Sequence, residues 1–254
     1  RVRRLERTFG TVKTIGIIGY GEIGQALDKL YVSRGLIPLI RDLDRDDGLG
    51  GVHVLNITIP WSHDFISTVG DYIKEISPRL VIIHSTVPPG TTRELSKDFS
   101  NIVHSPVRGI HPHLFEGLKT FVKVVGGGGQ LDAQEHLKSL GLKVEVYQNS
   151  AATEVAKLMD TSYYGVCIAW HDYAQKLCDL WGVEFEEVQT HYNSTYNSGY
   201  TQLGNPNVVR PILTAPDGPI GGHCVVSNAE ILREALDSKL LESITDLGNT
   251  PPKE

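Results

Sequence analysis

The chain has 254 residues, enough for one or two domains, with the 40% hydrophobic and 21% charged content of an ordinary globular protein. A formal net charge of −6 argues against nucleic acid as a partner, and no apolar run reaches the roughly 18 residues that a membrane span requires. Residues 1–7 are basic but lead into no apolar signal region, so a cytoplasmic enzyme is the default expectation.

From residue 12 onward, strand, glycine turn and helix alternate. Residues 14–18 read as a strand and 22–34 as a helix with Ile23, Ala26, Leu27 and Leu30 on one face; strands follow at 37–40, 52–59, 80–84, 102–104, 121–125 and 142–147. Helical segments fall between them, including 62–75 and 132–140. This order predicts an α/β fold, a doubly wound Rossmann-type parallel sheet over residues 1–149.

At residue 150 the pattern changes to one long helix, 151–181, which opens a smaller all-α domain expected over 150–245. Its apolar residues, among them Val155, Leu158, Met159, Val166, Ile168, Trp170, Leu177 and Leu180, occupy more than one face, as in a helix covered on several sides; a homodimer through this helix is expected. A short helix is expected near 184–191 and a loop over 193–216, which is rich in Asn, Tyr, Gly and Pro. A helix over 227–241, capped by Ser227 or Asn228, and a frayed tail from Asp246 complete the chain.

The turn Gly19-Tyr20-Gly21-Glu22-Ile23-Gly24 joins an apolar strand to an apolar-faced helix, the setting in which three glycines permit a tight turn, approach of a pyrophosphate and close helix packing. Asp42 ends the next strand, where a carboxylate accepts from the ribose hydroxyls of NAD and repels a 2′-phosphate; Arg41 and Arg45 leave NADP as the alternative. Ligands of such sheets bind at the carboxyl ends of strands, which adds Thr58, Pro60, Ser85 and Thr86 to the cofactor set. Thr91 and Thr92 read as helix caps.

Cys167 and Cys178 lie on the long helix, too far apart to bridge, and read as buried packing. Cys224 differs, because Gly218, Gly221 and Gly222 before it let the backbone offer the sulfur to a substrate. On the long helix Glu154, Lys157, Thr161 and Tyr164 share one face, with a solvated Glu154–Lys157 ion pair as the plain structural alternative. His104, His111, His113 and His223 suggest a metal at first sight, but loop histidines beside a polar pocket more often meet substrate or water, and no metal is expected.

Taken in order, the 19–24 glycine turn, Asp42, Ser85-Thr86-Val87-Pro88-Pro89-Gly90-Thr91-Thr92, Ser105-Pro106, Glu154-x-x-Lys157 and Gly221-Gly222-His223-Cys224 resemble the UDP-glucose/GDP-mannose 6-dehydrogenase family over residues 15–232. The resemblance implies NAD as cofactor, a 6-phosphogluconate dehydrogenase-like helical domain, and oxidation of a sugar alcohol with the aldehyde held on Cys224 as a thiohemiacetal. It assigns Lys157 to the oxyanion, Thr86 to an attacking water, and Glu116 to the glutamate of the family's glutamate-glycine pair. The family has an asparagine at the position of Thr161 and an aspartate at that of Asn228. Against the family's C-terminal UDP-binding domain, for which no counterpart is read here, a smaller or different substrate, polar and sugar-like or acidic, is expected, with removal of that domain or its supply by another chain as the alternatives. A two-electron hydroxyacid-type dehydrogenase using Lys157, and an NAD-binding sensor with reduced catalysis, are the alternatives.

Overall fold

A computed structural model describes residues 13–220 and 223–249. Its contacts divide into two units, Arg1–Val155 and Ala156–Glu254.

The first unit is built on an eight-stranded sheet with spatial order β3-β2-β1-β4-β5-β6-β7-β8. β1 (Ile15–Ile18), β2 (Leu39–Asp42), β4 (Val54–Ile57), β5 (Leu80–Ile83) and β6 (Ile102–His104) run parallel, with Ile17 opposite both Ile40 and Asn56. The two-residue β3 (Arg45–Asp46) adds antiparallel to β2, and β7 (Lys123–Gly127) adds antiparallel to β6 with β8 (Val144–Val146) parallel beyond it. Each strand distributes its apolar residues alternately to the two faces, as the pleat requires. Ile15 and Ile17 pack with Leu27 and Leu30 of α1 (Glu22–Val32), Leu118 of α4 (Leu114–Thr120) and Leu137 of α5 (Gln130–Ser139). Ile18, Leu55, Ile57 and Ile83 pack on the other side with Phe65, Val69 and Ile73 of α2 (Phe65–Ile76) and with Leu95 of α3 (Thr91–Leu95). The sheet is therefore wound on both faces, as expected.

A polar strip crosses the interior of this unit. Asn56, fully buried in the middle of β4, donates to the Gly16 carbonyl at 3.0 Å and accepts from the Tyr31 hydroxyl at 3.2 Å. His84 Nε2 stands 3.0 Å from the same amide oxygen, and its Nδ1 stands 2.9 Å from the Ser105 carbonyl and 3.1 Å from the Lys123 ammonium. Lys123 also donates to the Ser105 and Pro106 carbonyls at 2.6 and 2.7 Å. Burial, then the Lys123 charge, hold His84 well below the usual imidazole range, so it is neutral. His136 Nε2 lies 2.9 Å from the Tyr31 hydroxyl, and burial lowers its pKa to about 4.

The second unit contains most of α6 (Ser150–Trp181), a π-helical turn at Glu186–His191, α7 (Tyr192–Gln202), a 3-10 turn at Pro206–Val208, α8 (His223–Ala235) and α9 (Lys239–Gly248). Ala229, Leu241, Ile244 and Leu247 form its core, with Val166, Ile168 and Val225 packed against it. Gly165 lets α8 and α9 approach α6, since a Cβ there would come within 2.7 Å of Val225 and 3.0 Å of Ile244. His171 Nδ1 donates to the Cys167 carbonyl at 2.6 Å, which leaves Nε2 to accept from the Leu213 N–H at 3.2 Å.

Several boundaries differ from the expectations. The segment expected as loop over 193–216 contains α7, where Tyr196 and Tyr200 stack one turn apart at 4.7 Å and Arg210 covers Tyr196 at 3.6 Å; these contacts offset poor helix formers. The helix expected over 227–241 begins instead at His223 and is broken at Ser238, whose extended backbone and hydroxyl, accepting from the Leu240 N–H, start α9. Ser227 and Asn228 thus lie inside α8 and not at its N-terminus. α9 runs through Asp246 to Gly248 with Leu247 buried, so the tail expected from Asp246 is helix for that stretch. The strand expected at 37–40 is Leu39–Asp42, and α4 and β3 had no expected counterpart.

Candidate active site

The glycine turn connects β1 to α1. Gly19 has φ +91°, and a Cβ on Gly24 would collide with the Gly19 carbonyl oxygen, so both positions demand glycine for the turn itself. Gly21 is different: among the described residues, a Cβ there would meet no atom within 4 Å, which leaves space above it for a ligand. No side chain caps the N-terminus of α1, whose first N–H groups suit an anion. Thr58, at the end of β4, braces the turn from below, its hydroxyl 2.7 Å from the Gly19 carbonyl and 2.9 Å from that of Ile18. Glu22 and Ile23 open α1.

Asp42 is placed as expected, at the end of β2. It accepts from the Tyr20 N–H and the Leu43 N–H, both at 2.9 Å, which fixes the carboxylate against the turn and leaves lone pairs for two hydroxyls. The adjoining open cleft, about 780 Å³, is lined by Gly19, Asp42, Ile59 and Tyr72 among others. Arg41 lines it too, but its guanidinium is bound to Glu75 at 2.9 and 2.8 Å and to Asp46 at 2.9 Å. Arg45 pairs with Asp47 at 2.6 Å and lies over the Tyr20 ring.

At the next strand ends, the Ser85 hydroxyl donates to the Ile59 carbonyl at 2.6 Å, Thr86 is half-buried and Pro60 is exposed. The turn that follows holds a feature that sequence reasoning missed. Gly90, with φ +99°, is the N-cap of α3, and neither Thr91 nor Thr92 caps it; Thr91 bonds back to the Pro88 carbonyl at 2.8 Å. The acceptor is Glu154, fully buried at the start of α6, which takes the Gly90 N–H at 2.7 Å and the Thr92 N–H at 2.9 Å. Burial raises its pKa, against the hydrogen bonds from Thr92 and Gly90. The solvated ion pair is therefore ruled out for Glu154. A glycine at the cap position leaves the first N–H groups of the helix to an acceptor from outside it, here Glu154.

Glu116 is exposed on α4 and lines a second cavity with Glu22, Gln25, Lys29 and His111. His111 Nδ1 contacts Glu22 at 2.6 Å, whereas His104 is buried on β6 against the Thr153 hydroxyl at 2.8 Å and the Ser85 carbonyl at 3.1 Å. Among the described residues, no three His, Cys, Asp or Glu side chains converge as metal ligands.

In the second unit, Asn228 donates to the Thr161 hydroxyl at 3.0 Å, and Thr161 donates onward to the Lys157 carbonyl at 3.0 Å. The positions at which the family pattern is broken are thus a mutually satisfied pair joining α8 to α6. Lys157 is half-buried, one turn before Thr161; Cys224 is exposed, one turn before Asn228, while Cys167 and Cys178 are buried. Gly221 and Gly222 lie outside the described residues.

No family model matches the chain. Six curated relatives share one name, UDP-N-acetyl-D-mannosamine dehydrogenase; that of Methanocaldococcus jannaschii is 25% identical over 196 residues, covering 74% of this chain and 42% of its own. The chain spans less than half the length of the curated relatives it matches. Among solved structures, the UDP-D-ManNAc dehydrogenase of Pyrococcus horikoshii superposes with a TM-score of 0.74 at 20% identity over 92% of this chain and 68% of its own. The 3-hydroxyisobutyrate dehydrogenase of Mycobacterium tuberculosis, at a TM-score of 0.69 and 16% identity, covers 92% of both chains. Among the described residues no helix is long and apolar enough to cross a membrane. Over about three quarters of its length the chain is similar to UDP-N-acetyl-D-mannosamine dehydrogenases.

Proposed function

We propose that the chain is an NAD-dependent oxidoreductase acting on a CH–OH group of a polar, nucleotide-sugar-like substrate. The observation that carries this reading is the open space above Gly21, at an uncapped helix N-terminus beside the fixed Asp42 carboxylate. Residues 19–24 and Asp42 would hold the dinucleotide, with Thr58 bracing the turn and Pro60, Ser85 and Thr86 bordering the nicotinamide side; bound there, it supplies the hydride acceptor. Residues 1–149 would form this domain and 150–245 the substrate and dimer domain. Exposed Trp170, Leu177, Leu180 and Trp181 on α6 support the homodimer.

The chain's own chemistry would lie with Lys157 and Cys224. The Lys157 ammonium would stabilise the oxyanion that develops as a base or ordered water takes the hydroxyl proton. The Cys224 thiol would add to the aldehyde carbon, a C–S bond forming as the C=O π bond opens and the sulfur's proton passes to the oxygen; loss of a second hydride from that carbon would leave a thioester, which water would hydrolyse to the carboxylate, freeing the thiol. Asn228 gives its amide N–H to Thr161, so the pair orients α8 on α6 and moves no proton. Thr86 and Glu116 are assigned to water and substrate. The test is growth of the reduced-nicotinamide band with a panel of sugar nucleotides and hydroxy acids, for the wild type and Cys224→Ala. Two reduced cofactors per substrate, and loss of the second in Cys224→Ala, are expected; an activity indifferent to Cys224→Ala overturns the thiol route.

A second reading, a two-electron hydroxyacid-type dehydrogenase, draws on the 3-hydroxyisobutyrate dehydrogenase fold, which this chain matches nearly end to end. One reduced cofactor per substrate would favour it.

A further inference from the structure

The two nicotinamide dinucleotides differ in one group on the adenosine ribose, a 2′-hydroxyl or a 2′-phosphate, and the side chains around Asp42 decide which is accepted. By sequence this rim is ambiguous, since arginines flank the aspartate and a guanidinium is the usual partner of a phosphate. The structure removes the ambiguity through a residue remote in sequence. Glu75, in the last turn of α2, reaches Arg41 across the cleft wall and takes both ends of its fork, at 2.9 and 2.8 Å, while Asp46 takes the same terminal nitrogen at 2.9 Å. Tyr72, one turn earlier on α2, underlies the guanidinium at 5.8 Å. The Arg41 side chain is left only 16% exposed, its plane fixed by two carboxylates that line the same cleft and engage its terminal nitrogens. One positive and two negative charges make the cluster net negative. Hydrogen bonds hold Glu75 and Asp46 below the usual carboxylate range, so they are ionised at neutral pH. Arg45 is likewise occupied by Asp47.

We infer that Glu75 is a specificity-determining residue: by holding Arg41 it denies a 2′-phosphate its cation and so selects NAD over NADP. Glu75 is a positioning residue here, acting through Arg41, whereas Asp42 would meet the ribose itself. The inference rests on the reading of this cleft as a dinucleotide site and adds the residue that sets its preference.

The experiment measures the dissociation constants of NAD and NADP by calorimetry on the full chain, for the wild type, Glu75→Ala, Glu75→Asp and the double variant Glu75→Ala with Arg41→Ala. Wild type is expected to bind NAD and to disfavour NADP. Glu75→Ala should tighten NADP about tenfold, a gain that shrinks with added salt, and change NAD less than about threefold. Glu75→Asp, which keeps the charge, should gain less, and the double variant should return to wild-type weakness. A ratio of the two constants in Glu75→Ala within about twofold of wild type overturns the inference while leaving the NAD reading intact, as does a gain that survives removal of Arg41. A wild type that binds neither dinucleotide overturns both. Thermal unfolding of each variant separates loss of fold from change of preference.

Discussion

The two units treat polarity in opposite ways. In the first, Asn56, His84, His104, Lys123, His136 and Glu154 are buried and hydrogen-bonded. In the second, large apolar and aromatic side chains stand in solvent along α6, with Met159, Tyr163, Trp170, Tyr173, Leu180 and Trp181 each more than half exposed. A buried, paired polar group gives little net stability but costs heavily when its partner is removed, so it specifies one arrangement. An exposed apolar stripe specifies nothing alone and gains meaning from what covers it. The first unit is thus defined from within, and the second presents a surface.

That contrast breaks most easily at Glu154. Replacing it by alanine orphans the Gly90 and Thr92 N–H groups in the interior, and a loss of about 4 kcal/mol is expected in denaturant unfolding, with Glu154→Gln recovering part. A loss below about 1 kcal/mol would mean that the N–H groups find other acceptors. The next effect is a pH dependence. His136 is neutral in the folded unit with a pKa near 4 against an ordinary 6.5, so above 6.5 it adds no slope. As pH falls from 6.5 to about 4 the unfolded chain takes up a proton that the folded one refuses, and about 2–3 kcal/mol is lost. His84 acts in the same direction. Glu154 opposes both, since its raised pKa gives stability that is full below the ordinary 4.5 and declines as pH climbs through the folded value. His136→Phe should flatten the acid limb of unfolding midpoint against pH; an unchanged limb would assign it elsewhere. The smallest change in stability belongs to the second unit. Trp170→Glu with Leu177→Glu should leave stability within about 0.5 kcal/mol, yet abolish the homodimer proposed through α6, read as a wild-type dimer and a monomeric variant in sedimentation; a monomeric wild type overturns that proposal. Heavy destabilisation would show that these side chains are core.

The sheet was legible because apolar strands of residues 14–18, 52–59 and 80–84 alternate with glycine turns and helices, a pattern that only local sequence is needed to read. Asp42 was legible for the same reason, being fixed by its distance from the glycine turn. Glu154 was not, because its partners lie more than sixty residues earlier and a Glu-x-x-Lys spacing on a helix reads equally as a surface ion pair. The helix at Tyr192–Gln202 was hidden by Asn, Ser, Thr and Gly, whose local hydrogen bonds elsewhere favour turns but here run back one turn along the helix, as Ser194 to Thr190 and Thr201 to Asn197 do. The Arg41–Glu75 pair needed the sheet and α2 to be placed before either residue meant anything.

The strip through Tyr31, Asn56 and His84 also constrains how this chain can drift. Replacing any one of them by an apolar residue of like size strands a donor or acceptor among the others, so tolerated changes must arrive together. Ile17, opposite Asn56 on the neighbouring strand, or Leu55, beside it on the same one, can be exchanged singly for another aliphatic residue at modest cost. Over generations the strip therefore behaves as one inherited character, while the hydrocarbon around it diverges position by position.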